Sequence, residues 1–187
     1  MRFVLFLLKM LRRNKGGGSM DPLQVSMTGV RMGERFLLVG CYDRALLSGL
    51  AAKVGLSGTA ALAAFDDEQA NRAAKVGAKV GALIETHPVT DLTLPFDSDH
   101  FDMVVVDDTT GAFAALAADA RAGYLNDARR TVRRGGRIEL VEGTVARAAG
   151  YDALAELGAA GFKPVRALAE RDGFRFLEGL RTSWARS

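Results

Sequence analysis

The residues best suited to chemistry in this chain are acids that follow short apolar runs. Asp107-Asp108-Thr109-Thr110 comes directly after Met103-Val104-Val105-Val106, so carboxylates emerge where a buried strand would end. An acid in that place has two uses. It can act as a general base toward a bound substrate, or it can cap the helix that follows. Asp107 is the candidate base on the first reading. Phe65-Asp66-Asp67-Glu68 repeats the arrangement after another apolar run, and Asp66 or Asp67 alone would suffice as a helix cap. A third run, Phe36–Val39, ends in Gly40-Cys41-Tyr42-Asp43-Arg44. A glycine there lets backbone approach a ligand closely, and Asp43 suits an N-cap. His87 and His100 stand without the converging ligands a metal needs, so no metal site is expected.

These acids need strands to carry them, and the chain supplies an alternation of strands and helices. Arg35–Val39, Ala60–Phe65, Ala82–Thr86, Met103–Val106 and Arg137–Val141 are short, apolar and β-rich. Asp43–Val54, Asp67–Val76, an alanine-rich Phe113–Val132 weakened near Gly123, and Tyr151–Ala160 have helical composition between them. Phe162–Leu180, with Asp172-Gly173 at its centre, predicts a β-hairpin. Alternation of this kind builds a parallel sheet with helices on both faces. The expected fold is therefore α/β, Rossmann-like and doubly wound. It has seven mostly parallel strands, with an antiparallel strand near one edge. Ligands in such sheets sit beyond the strand C-termini where the order reverses, here after Val39, Phe65, Thr86 and Val106.

The chain has 187 residues, 49% apolar and 25% charged, the composition of an ordinary globular domain. One cysteine, Cys41, rules out an internal disulfide and points to a reducing, cytoplasmic setting. The formal charge is +3, but residues 1–19 hold five of the cations and no acid, which leaves −2 on residues 20–187. A nucleic-acid partner is therefore not expected from charge. Arg129, Arg130, Arg133, Arg134 and Arg137 cluster, and are expected as a solvated helix end.

Residues 1–19 look foreign to the domain: an apolar and basic stretch, then Gly16-Gly17-Gly18-Ser19, then Met20. The expected division is 1–19 as a fused peptide with its linker and 20–187 as the domain. Val4, Leu7, Leu8 and Leu11 fall on one helical face. Residues 1–15 are an expression leader, a helix lying on a membrane, or a tethered peptide or protein partner. Membrane contact is expected only through this segment.

Two motifs carry a family resemblance. Leu94-Pro95-Phe96, then Phe101-Asp102 and the run to Val106, resembles an "LPF…FD-hydrophobic" signature. Val132-Arg133-Arg134-Gly135-Gly136-Arg137-Ile138 resembles "hydrophobic-x-PGG-x-hydrophobic", with Arg134 in place of proline. Both belong to the class I S-adenosylmethionine (SAM)-dependent methyltransferases, and the resemblance spans about Arg35 to Leu180. It implies the strand order 3-2-1-4-5-7-6 and SAM as cofactor. It places the methionine end of SAM near Gly40 and Tyr42, the ribose against Asp66 or Asp67, and the adenine near Thr90 and Asp91. The family pattern G-x-G-x-G is altered: Tyr42 and Arg44 stand where the second and third glycines would be, and Leu38 where an acid would be. Asp107-Asp108-Thr109-Thr110 is not the Asn/Asp-Pro-Pro-aromatic motif of amine-methylating members. The implied function is methyl transfer from SAM to a small-molecule acceptor. The alternative is a non-catalytic scaffold acting through a protein partner. With room for only one short helix or an irregular arm between Met20 and Glu34, the pocket is expected to be open unless a second subunit, as in a homo-oligomer, a partner chain or the leading peptide closes it.

Overall fold

The computed structural model describes residues 20–144 and 150–182. The expectation of a fused peptide over residues 1–19, with a helical face, lies outside those residues. The elements in chain order are α1 (Pro22–Met27), β1 (Arg35–Val39), α2 (Arg44–Val54), β2 (Thr59–Ala64), α3 (Asp67–Val80) and β3 (Ile84–Pro88). Then come β4 (Phe101–Asp108), α4 (Ala118–Thr131), β5 (Val132–Gly143), α5 (Ala153–Ala159), β6 (Val165–Arg171) and β7 (Phe174–Leu180). The seven strands form one sheet in the order β3-β2-β1-β4-β5-β7-β6. β1 to β5 run parallel, while β7 pairs antiparallel with both β5 and β6. This is the expected architecture and strand order.

The central strands are apolar on both faces because both faces are covered. Phe36, Leu38, Leu62, Val105 and Phe176 pack with Leu46, Leu47 and Leu50 of α2. Leu37, Val39, Val104, Val106 and Ile138 pack on the other side with Leu125 of α4 and Leu157 of α5. Leu38, Val104, Val105 and Ile138 are fully buried, as their strand positions require. The core also reaches further toward the N-terminus than Phe36, since Met20, Val25 and Val30 are buried in it. Among the described residues no helix is long and apolar enough to cross a membrane.

Element bounds differ from the sequence expectation by a few residues in most places, and more around α4 and β5. Helix α4 starts at Ala118 rather than Phe113, because Asp108 accepts hydrogen bonds from the Phe113 and Ala114 amides and holds them in a separate turn. Nor does Gly123 break α4: its bare Cα gives room to Leu92, whose Cδ1 would lie 3.1 Å from an added Cβ. Strand β5 begins at Val132, directly after α4, with Val132 opposite Phe101. The arginines there are therefore a helix end only in part: Arg129 and Arg130 lie in the last turn of α4 and Arg134 is exposed, but three of the five hold acids. Arg130 holds Asp127 and the carbonyls of Leu94 and Phe96, Arg133 holds Asp102, and Arg137 holds Glu34.

Candidate functional site

β1 and β4 are neighbours at the sheet centre, and the chain leaves them toward opposite edges. The crevice beyond their C-termini is the place for a ligand. A partly open cavity of about 170 Å³ lies there, lined by Val39, Tyr42, Phe65, Asp107, Ala112, Phe113, Leu116 and Tyr124. Its wall is aromatic, with the Phe65 and Tyr124 rings edge to face at 5.4 Å.

The loop after β1 is held from three sides. Asp107 Oδ2 accepts the Tyr42 and Asp43 amide hydrogens at 2.7 and 2.8 Å. Gln69 Oε1 accepts the Cys41 amide at 3.1 Å and that of Phe65 at 3.2 Å. The Arg72 guanidinium donates to the Cys41 carbonyl and is itself held by Glu68 at 2.7 Å. Gly40 makes the turn possible: its φ of 75° suits glycine, and an added Cβ would stand 3.0 Å from Tyr42 Cε2 and 3.4 Å from Phe65 Cε2. The Tyr42 ring therefore lies against Gly40, next to Phe65. Burial pushes the Tyr42 phenol above its ordinary range.

Asp107 is almost wholly buried, and both of its oxygens are engaged. Besides the two loop amides, Oδ1 accepts from the Thr109 amide at 3.1 Å and from Thr109 Oγ1 at 2.6 Å. Burial raises its carboxyl, and these hydrogen bonds oppose the rise. That is the bonding of a carboxylate that positions a loop. The base role expected for Asp107 would require lone pairs that are already committed.

The remaining expected residues scatter around the cavity. Asp66 is the N-cap of α3, with Oδ1 accepting the Gln69 amide at 2.8 Å, and Asp67 is the first helical residue. Both are exposed, outside the cavity lining. Strand β2 ends in Ala64, so no acid sits at the strand end itself. Thr90 and Asp91 are exposed on the loop after β3. Asp91 closes a local turn on the Thr93 amide, and its carbonyl accepts from Tyr124 Oη at 3.1 Å, which ties this loop to the cavity wall. Arg44 opens α2. His87 lies away from the cavity, edge-on to Phe96 at 4.9 Å in an open groove along β3 that also holds His100. No group of three metal-binding side chains exists among the described residues.

Three residues that sequence reasoning passed over complete the mouth. Tyr124 and Phe113 line the cavity from a stretch expected to be plain helix. Asp108, outside the lining, is buried and accepts the Phe113 amide, its carboxyl pushed up to about 6 by burial and by the nearby Glu142 and Asp107. Helical spacing places Tyr124 beside Leu125 without telling which one faces the sheet's end, so no local signal singled it out.

No family model and no curated protein matches this chain. Solved structures do match in three dimensions. A SAM-dependent methyltransferase from Aquifex aeolicus superposes with a TM-score of 0.71 at 17% identity, covering 88% of this chain and 91% of that one. A TehB-like SAM-dependent methyltransferase from Corynebacterium glutamicum gives 0.64 at 14%, covering 95% and 96%. The [4+2]-cyclase SpnF gives 0.61 at 19%, covering 86% of this chain and 65% of the cyclase. At such identities the likeness is one of architecture, and the cyclase shows that this architecture also carries other chemistry. Sheet order, crossover pattern and terminal antiparallel strand together give this chain the fold of the class I SAM-dependent methyltransferases.

Proposed function

We propose that the chain binds SAM beyond β1 and β4 and transfers its methyl group to a small-molecule acceptor. The supporting observation is the aromatic cavity at the sheet's switch point, lined by the ends of β1 and β4, the residues after them, Phe65 and Tyr124 of α4. The residues present suit the cofactor in kind. Gly40 permits close backbone approach, Phe65 and Tyr124 offer ring faces to an adenine, and the outer oxygen of Asp66 is free to accept from a ribose. Asp67, Thr90 and Asp91 stand on the rim where small loop shifts bring them to the same ligand. They do not yet suit it in volume. About 170 Å³ is below the roughly 300–1,000 Å³ of small-molecule sites. The Tyr42 ring must swing off Gly40 for the site to fill.

SAM, when bound, supplies an activated methyl group whose transfer depends mainly on alignment with the acceptor. The chain's part is positioning. Asp107, Arg72 and Gln69 hold the β1 loop in register, and the apolar wall excludes water. Asp107 contributes through this hold rather than as a free base.

The small volume of the cavity also favours a second reading, a methyltransferase-like scaffold that has lost SAM. Calorimetric titration with SAM separates the two. On the enzyme reading the wild type binds, Asp66→Ala weakens binding on the order of ten- to a hundredfold, and Tyr42→Gly binds as well or better. Absent binding in the wild type, recovered in Tyr42→Gly/Arg44→Gly, would establish the scaffold reading.

A further inference from the structure

The end of the sheet opposite the cavity has its own chemistry. Met32, Leu56 and Leu83 are 80%, 95% and 84% exposed. Each sits on the turn leading into β1, β2 or β3, three neighbouring strands, so all three project from the same end of the molecule. The turns adjoin. The Gly33 amide donates to the Val54 carbonyl, the Thr59 amide to that of Glu34, and Ile84, next to Leu83, pairs with Ala60. Helix capping does not account for this exposure. A leucine just beyond a capping glycine ordinarily folds back on its helix, yet Leu56, directly after Gly55, is nearly bare.

Cations surround the trio. Arg31 precedes Met32, Lys53 ends α2 just before Leu56, and Lys79 ends α3 just before Leu83; all three are exposed. Arg133 and exposed Arg134 at the start of β5 extend the basic surface across the sheet. The acids at this end are mostly neutralised: Glu34 pairs with Arg137, Asp99 with Arg181, Asp102 with Arg35 and Arg133, and Asp127 with Arg130. Glu85, exposed further along β3, and Asp97, exposed on the loop before β4, are not. Lys53, Lys79 and Arg134 form no ion pair among the described residues. The opposite end exposes Asp66, Asp67, Glu68, Asp91, Asp119, Asp152 and Asp172 against the cations Arg44 and Arg171. The molecule is thus polarised, although residues 20–187 carry a net −2.

We propose that this basic end docks on an anionic lipid surface, with Met32, Leu56 and Leu83 entering the headgroup layer. Isolated aliphatic tips, each beside a cation, match an interface that is negative outside and apolar beneath. A nucleic acid would match the cations and leave the aliphatic tips without a partner. The acidic mouth then points away from the surface by the length of β4, about 25 Å for its eight residues, so the acceptor arrives from solution. The proposal is independent of whether SAM binds.

The test is co-sedimentation of the full chain with phosphatidylcholine vesicles, with and without one-third phosphatidylglycerol. Binding should require the anionic lipid and weaken with salt. Met32→Ser/Leu56→Ser/Leu83→Ser should lose at least about tenfold in partitioning with an unchanged thermal midpoint. If that midpoint falls, Lys53→Glu/Lys79→Glu replaces it, with the same expectation. No binding by the wild type would overturn the proposal. So would undiminished binding by the variants, which would assign the attachment to residues 1–19. Tighter binding to a single-stranded oligonucleotide than to vesicles at equal salt would mark a nucleic-acid face instead.

Discussion

At the scale of single residues, Asp107 decides how the mouth works. Its carboxylate accepts four hydrogen bonds, two of them from the loop that carries Tyr42. Asp107→Asn keeps the shape but turns an NH2 toward donors whichever way the amide is set. It should lower unfolding stability by about 2 kcal/mol, read from the urea midpoint at constant m-value. A residue acting only as a base would leave that midpoint unmoved. Arg72→Ala should loosen the same loop with a smaller loss, because Gln69 and Asp107 still hold it. Limited proteolysis between Gly40 and Arg44 would report the loosening.

Two glycines make opposite predictions at the scale of elements. Gly143 ends β5 against the turn after β4, where an added Cβ would fall 2.1 Å from the Thr109 carbonyl oxygen. Backbone cannot yield as a side chain can, so Gly143→Ala should cost about 1–3 kcal/mol and lower the thermal midpoint. Gly123 lies inside α4 and would meet only the flexible, partly exposed Leu92 side chain. Alanine favours a helix interior by up to about 1 kcal/mol over glycine. Gly123→Ala should therefore be neutral or raise the midpoint slightly. A large loss there would mean that Leu92 cannot move and that the loop after β3 is stiffer than its exposure indicates.

For the whole molecule, buried acids set the pH response. Glu139 is fully buried in β5, opposite Glu178 of β7, and its carboxylate oxygens have no hydrogen-bond partner. Burial first, then the Glu178 charge, pushes it well above the ordinary 4.5. Asp108 is raised in the same way to about 6. A carboxyl with a raised folded pKa binds a proton on folding. Its contribution is complete below the ordinary value and is lost as pH rises through the folded value. Asp102 and Glu34, lowered by Arg133 and Arg137 despite partial burial, act in the other direction and lose stability as pH falls below their ordinary values. Glu139→Gln should therefore raise the thermal midpoint at pH 8 and change it little at pH 4. Equal shifts at both would show that Glu139 is already charged in the fold.

The amino-acid sequence by itself determined the elements, because strand and helix patterns and caps are local. Five short apolar runs became β1 to β5, Asp43 became the cap of α2, and Asp172-Gly173 became the β6–β7 turn. The strand order came with the family resemblance on Leu94-Pro95-Phe96 and Gly135-Gly136, and the sheet bears it out. What only the tertiary structure decided was the partner of each polar group. Asp107 meets Tyr42 across 65 residues of chain, and Arg137 meets Glu34 across 103. Such pairings depend on which strand ends the sheet brings side by side. The same holds for Tyr42, whose ring meets Phe65 from the end of β2 and Tyr124 from α4 around one cavity. An acid after a strand looks the same in sequence whether it faces a ligand or a loop; only the donors that the fold delivers to its oxygens tell the two apart.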